Sequence, residues 1–154
     1  MTDKSLDYRE SLLPVFRDLR NFILLAEQAH WNVVGDDFYQ LHLLFEQLRD
    51  SNAEFVDRLA ENMRSQFILV LNSPTYLMTS DVEFLEDPKQ SGEAYLDALH
   101  AANRVLNESA ECASKCCTEC CKSGLVNMLG DLIEQVGKNY YLIESQRGLT
   151  KQPK

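Results

Sequence analysis

Five side chains stand at spacings that suit a divalent metal: His30, His42, Glu46, Asp57 and Glu61. His42/Glu46 and Asp57/Glu61 are both i,i+4 pairs, so on a helix each pair can converge on one ion. Imidazole nitrogen mixed with carboxylate oxygen suits ferrous iron. Such a set differs from the sulfur-rich structural sites of zinc and from the all-oxygen cages of calcium.

Four of these residues belong to one expected helix, from about Asp37 to Arg64. At 100° per residue, Leu41, Leu44, Leu48, Phe55 and Leu59 form its apolar side. His42, Glu46, Asp57 and Glu61 fall on the other side, within an arc of about 100° that Tyr39, Asp50 and Ala53 share. The plain alternative is a solvated acidic face. The placement argues for more. The two pairs are mirrored about a point between Ser51 and Asn52, so that 42 answers to 61 and 46 to 57. Along one helix the pair centres lie about 22 Å apart and cannot share an ion. Two antiparallel copies about a two-fold axis would set His42 against Glu61 of the partner subunit, and Glu46 against Asp57 of the partner subunit. Each pair of subunits then gains two identical sites across an isologous interface. Ala53 would allow close approach. His30, before the turn at Gly35, Asp36 and Asp37, supplies the fifth ligand.

The rest of the chain supplies a frame for that helix. A first helix is expected to run to about Trp31, with Leu12, Phe16, Leu19, Phe22, Ile23 and Ala26 on its apolar face. Pro14 fits a first turn, which leaves residues 1–10 as an N-terminal tail. A looser segment, Ser65 to Ser91, holds Pro74, Pro88 and a short helix between them. A third long helix is expected over Gly92–Cys121, broken at Gly124, and a fourth to about Arg147, with 148–154 as a C-terminal tail. The expectation is a single all-α domain over residues 1–154, a ferritin-like four-helix bundle with one long crossover.

Composition bounds the function. The chain has 154 residues, enough for one core, and a formal charge of -9. That charge attracts metal cations and repels phosphate backbones. Asp3, Lys4, Asp7, Arg9, Glu10, Arg17, Asp18 and Arg20 interrupt any apolar signal core, and the run Phe67–Leu71 is too short to cross a bilayer. A cytoplasmic protein with no membrane partner is expected.

The stretch His30-Trp31-Asn32-Val33-x-Gly35, then Phe38, Leu41-His42, Phe45 and Asp57-x-x-Ala60-Glu61-x-x-Arg64, resembles the signature of the Dps family of mini-ferritins. Lys138-Asn139-Tyr140-Tyr141-Leu142 is similar to the family's last helix, with Tyr141 where Trp is usual. The likeness is strong over residues 30–64 and weak over most of the remainder. It implies a hollow homododecamer that takes up Fe(II), oxidises it to Fe(III) with hydrogen peroxide or oxygen at sites between subunits, and stores the ferric product. It makes His30, His42, Glu46, Asp57 and Glu61 the ferroxidase ligands. Trp31 would be the aromatic that quenches stray oxidising equivalents, with ordinary packing as the alternative.

The chain departs from that pattern at several points. Position 46 is Glu where Asp is usual, which moves the carboxylate by about 1.5 Å. The turn Lys122-Ser123-Gly124-Leu125-Val126-Asn127 lacks the acidic residues that line the family's iron inlet, and only Asp131 and Glu134 follow. The N-terminal residues are net acidic and the C-terminal basic patch is thin (Arg147, Lys151, Lys154), which weighs against DNA binding and against a place in the nucleoid.

Cys112, Cys116, Cys117, Cys120 and Cys121 crowd one stretch. Odd in number and adjacent, they do not read as a disulfide framework. They are either small buried hydrophobes or a soft-metal or redox site, and their spacing is not a zinc-finger or iron–sulfur signature. Three other readings follow from the sequence. One is a shell with little ferroxidase activity that acts through these thiols. Another is a site inside one bundle built from Glu27-x-x-His30 and Asp97-x-x-His100. The third is a nucleoid-compacting protein.

Overall fold

A computed structural model describes residues 7–148. Five helices follow one another: α1 (Tyr8–Asn32), α2 (Phe38–Ser65), α3 (Pro74–Leu77), α4 (Gly92–Glu119) and α5 (Ser123–Gln146). The short turns α1–α2 and α4–α5 make two helical hairpins. Residues 66–91 cross between them and carry the single-turn α3. Helix α1 packs on α2 and α4, and α5 packs on α4 and α2, which closes a four-helix ring.

Three helices begin on side-chain caps. Asp7 Oδ1 accepts from Arg9 N at 3.0 Å, Ser73 Oγ from Tyr76 N at 3.3 Å, and Ser91 Oγ from Ala94 N at 3.1 Å. The cap at Asp7 corrects the expected start of α1. Tyr8, Arg9 and Glu10 are helical and Pro14 lies inside the helix, so the N-terminal tail does not extend to residue 10. The expected tail positions 1–6 and 149–154 lie outside the described residues.

Two helix ends share a geometry that the sequence hides. At the end of α2, Ile68 N donates to Met63 O and Phe67 N to Arg64 O, both at 3.0 Å. At the end of α4, Lys122 N donates to Cys117 O at 2.8 Å and Cys121 N to Thr118 O at 3.1 Å. Both are Schellman motifs. The left-handed residue of such a motif is usually glycine, yet here it is Phe67 (φ 61°) and Cys121 (φ 55°). A side chain there costs about 1–2 kcal/mol. The chain therefore breaks at Cys121. Gly124, the expected breaker, sits in the first turn of α5.

The apolar side of α2 is rotated slightly from its expected position. Leu41, Phe45, Leu48, Leu59 and Met63 are buried, while Leu44 and Phe55 are half-buried at the edge. Among them lies a polar layer. Asn52, Asn103 and Asn139 have no solvent exposure. Asn52 and Asn139 exchange two hydrogen bonds of 3.1 Å, and Asn139 Nδ2 donates to Asn103 Oδ1 at 2.9 Å. Asn103 Nδ2 in turn donates to Val136 O at 3.0 Å. This satisfied network joins α2, α4 and α5 and fixes their register, since a slip would orphan buried amides.

Candidate metal centre

The last turn of α1 and the first turns of α2 bring His30 and His42 together. Their rings stack with centroids 4.0 Å apart and planes 21° from parallel. His30 Nδ1 lies 2.9 Å from the His42 carbonyl, and His42 Nδ1 lies 2.9 Å from the His30 carbonyl. A carbonyl can only accept, so each Nδ1 carries the proton and each neutral ring keeps its lone pair on Nε2. Neither Nε2 has a hydrogen-bond partner among the described residues. Phe38 also stacks on His42, with centroids 5.1 Å apart. Second partners of this kind orient metal-binding histidines elsewhere.

Glu46 follows one turn after His42, half-buried. Arg49 stands beside it, with Nη2 3.6 Å from Glu46 Oε1 and Nε 2.7 Å from Asp50 Oδ1. The hydrogen bond from Arg49 holds the Asp50 carboxyl below the usual carboxylate range, and the charge of Arg49 acts in the same direction. Arg49 was not singled out in the sequence, although an arginine three residues after a candidate carboxylate ligand is a readable signal.

Asp57 and Glu61 are exposed farther along α2. The single chain therefore brings His30 and His42 into contact but leaves the five candidates divided. Among the described residues, no three His, Cys, Asp or Glu side chains gather closely enough to hold an ion. Trp31 is exposed beside the histidine pair.

The bundle interior holds no rival constellation among the described residues. His100 Nε2 lies 3.0 Å from Glu144 Oε1, and Asp97 Oδ1 lies 2.6 Å from Arg147 Nη2, both near the surface. The two acidic residues that follow the turn into α5 are both paired, Asp131 with Arg58 and Glu134 with Lys138.

All five cysteines are free thiols. Cys116 and Cys117 are buried, Cys120 is half-buried, and Cys112 and Cys121 are exposed. Burial, with the neighbouring Cys116 and Cys120 adding to it, pushes the Cys117 thiol up to about 11. Burial and the adjoining Cys112 also raise Cys116. These shifts favour the protonated thiol over the thiolate that binds metal.

A four-helix ring with a long crossover, and with imidazoles and carboxylates on α1 and α2, defines a ferritin-like fold. The solved structures it is similar to are Dps proteins. Dps from Listeria monocytogenes matches at a TM-score of 0.86 and 19% identity, over 96% of this chain and 97% of that one. DpsC from Streptomyces coelicolor matches at 0.86 and 21%, over 100% and 90%. Dps from Vibrio cholerae O1, described as a member of a broad superfamily of ferritin-like diiron-carboxylate proteins, matches at 0.85 and 19%, over 93% and 90%. The fold of this chain is thus that of the Dps structures.

No family model matches the chain. Over 80 residues, 52% of the chain, it is 30% identical to the fine tangled pili major subunit of Haemophilus ducreyi. Over 62 residues, 40% of the chain, it is 32% identical to a protein from the bpoA2 5′ region of Kitasatospora aureofaciens. The matched stretches span 40% and 41% of the lengths of those relatives. Among the described residues, no helix is long and apolar enough to cross a membrane.

Proposed function

We propose that two copies of this chain pair along α2 and complete two identical iron-oxidising sites, and that six such pairs form a dodecameric shell that stores the ferric product. His30, His42 and Glu46 of one subunit would meet Asp57 and Glu61 of the partner subunit at each site. The observation that carries this reading is the reciprocal lock between His30 and His42. It leaves both Nε2 atoms without a hydrogen-bond partner among the described residues, and His42 shares α2 with Asp57 and Glu61 at mirrored positions.

Iron(II) is the substrate. Two ferrous ions give one electron each. Hydrogen peroxide accepts both, its O–O bond breaks, and two protons complete two waters. Consuming peroxide in a two-electron step yields less hydroxyl radical than one-electron reaction with free iron, which would protect the cell from oxidative damage. The carboxylates supply negative charge that favours the ferric state, and the imidazoles fix the geometry. The net acidity supports cation uptake, and the paired Asp131 and Glu134 point to slow uptake through the expected inlet.

The test is complementation. His42→Ala and Asp57→Ala proteins should each lose fast iron oxidation when assembled alone. Unfolded together and refolded as a mixture, half the dimers carry one intact site, so about a quarter of wild-type activity should return. Stopped-flow oxidation with peroxide and with oxygen would measure it. If the mixture stays inactive while its mass shows assembly, the shared site is wrong.

A further inference from the structure

The surface that would bring two copies together carries unexplained apolar groups at both ends of α2. Around the α1–α2 turn, Trp31, Val34 and Tyr39 are exposed to 68%, 70% and 70%. At the far end, Phe67 and Leu69 are exposed to 89% and 74%. Phe67 is not on a loose loop. The Schellman bonds from Phe67 N and Ile68 N fix its backbone at φ 61°, where glycine would be free of strain. A bulky ring held in a conformation that disfavours it, facing water, needs a counterpart.

The mirror point between Ser51 and Asn52 locates that counterpart. The axis that sets His42 against Glu61 of the partner subunit also sets position 36 against position 67. Phe67 of the partner subunit then falls at the α1–α2 turn, among Trp31, Val34 and Tyr39. Charge fits the same arrangement. Arg64, whose mirror position is 39, forms no ion pair among the described residues, and neither do Asp36 and Asp37 of the turn. Opposed unpaired charges beside complementary apolar groups select one register.

We propose that Phe67 of each subunit docks on the Trp31–Val34–Tyr39 patch of a second copy, with Arg64 set against Asp36 and Asp37, and so closes one flank of the two-subunit site against water. This rests on the pairing invoked under the proposed function, and it does not depend on the iron chemistry. Each site would have one such flank, so loss of Phe67 loosens both ends of the pair. Phe67 acts as a positioning residue, since it touches the neighbouring subunit and no metal ligand.

Trp31 is the only tryptophan in the chain, so its fluorescence reports on the patch directly. The experiment uses the full chain in metal-free buffer, with acrylamide quenching followed alongside sedimentation over a dilution series. Wild-type Trp31 should be blue-shifted and shielded when assembled, and become accessible as the assembly dissociates. Phe67→Gly relieves the backbone strain, so helical content should persist. Trp31 should nevertheless become several-fold more accessible, and the dissociation constant of the pair should rise about 10- to 100-fold. Phe67→Leu should restore most of both. The inference is overturned if assembled Trp31 is as accessible as free indole, or if Phe67→Gly changes neither quenching nor dissociation. A protein that stays monomeric at all concentrations defeats both this inference and the shared site. A shielded Trp31 without iron oxidation upholds this inference and removes only the iron reading.

Discussion

His30 and His42 orient each other, since the Nδ1 of each ring donates to the other's backbone carbonyl at 2.9 Å. The two imidazoles are thus held in place by the chain itself, and little ordering entropy would oppose metal binding there. Replacing either residue removes a candidate ligand and the ring stacked 4.0 Å from the other, while the backbone carbonyl that accepts from the remaining Nδ1 is kept. Loss of orienting partners alone weakens metal sites by about 10- to 100-fold. His42→Ala should therefore lower anaerobic Fe(II) affinity by at least that much in calorimetry, with far-UV circular dichroism unchanged. Equal affinity in wild type and variant would remove both histidines from the site.

Arg49 would compete with a metal for Glu46, since its Nη2 lies 3.6 Å from Glu46 Oε1. Exposed ion pairs contribute roughly 0.2–1 kcal/mol, so the competition is modest. Arg49→Gln should lower the KM for Fe(II) by about 1.4- to fivefold, the equivalent of that energy, and leave kcat nearly unchanged. The difference should shrink as salt is raised. A lower kcat would mean instead that Arg49 takes part in the oxidation step.

Helical period alone made the outward placement of His42, Asp57 and Glu61 legible, because an arc of polar residues on a long amphipathic helix has one geometric solution. The edge of the same helix was less legible. Phe45 and Met63 took core places assigned to Leu44 and Phe55, since small angular offsets accumulate over 28 residues. The mutual lock of His30 and His42 depends on the path of a turn, and no local pattern encodes it. The amide layer of Asn52 and Asn139 joins residues far apart in the chain, and an asparagine in a helix reads as surface until its partner is known. The end of α4 near Cys121 was legible, but the device that makes it was not, because a left-handed residue at a helix end usually announces itself as glycine.

The amide layer predicts a stability effect at a position remote from any metal. Asn139 serves Asn52, Asn103 and Gln135 at 2.9–3.1 Å. Asn139→Ala would orphan buried polar groups, each costing about 1–3 kcal/mol. The urea midpoint should fall by the equivalent of roughly 2–5 kcal/mol at fixed protein concentration. A loss below about 1 kcal/mol would mean that water replaces the missing amide.

Cys117 should make stability fall in alkali. Its thiol titrates at about 11 in the folded chain against an ordinary 9.0. Between those values the folded state binds the proton that an unfolded chain releases. The stabilising contribution is thus complete below pH 9.0 and is lost as pH rises toward about 11. Cys117→Ala should flatten the stability profile in that window. In alkylation near neutral pH, exposed Cys112 and Cys121 should react first and Cys117 last, read by peptide mass mapping. Early labelling of Cys117 would contradict its burial.

Cys121 offers a chance to raise stability by removing a side chain. Its φ of 55° completes the Schellman motif that ends α4, and its own side chain is exposed. A non-glycine residue in that region costs about 1–2 kcal/mol. Glycine removes the strain but adds freedom to the unfolded chain, which returns about 0.5–1 kcal/mol. The two terms leave Cys121→Gly more stable by roughly 0.5–1 kcal/mol, a rise of a few degrees in Tm for a chain of this size. Cys121→Ala keeps the Cβ and should gain nothing, which separates backbone relief from loss of a thiol. If both variants shift Tm alike, the thiol and not the backbone conformation sets the cost.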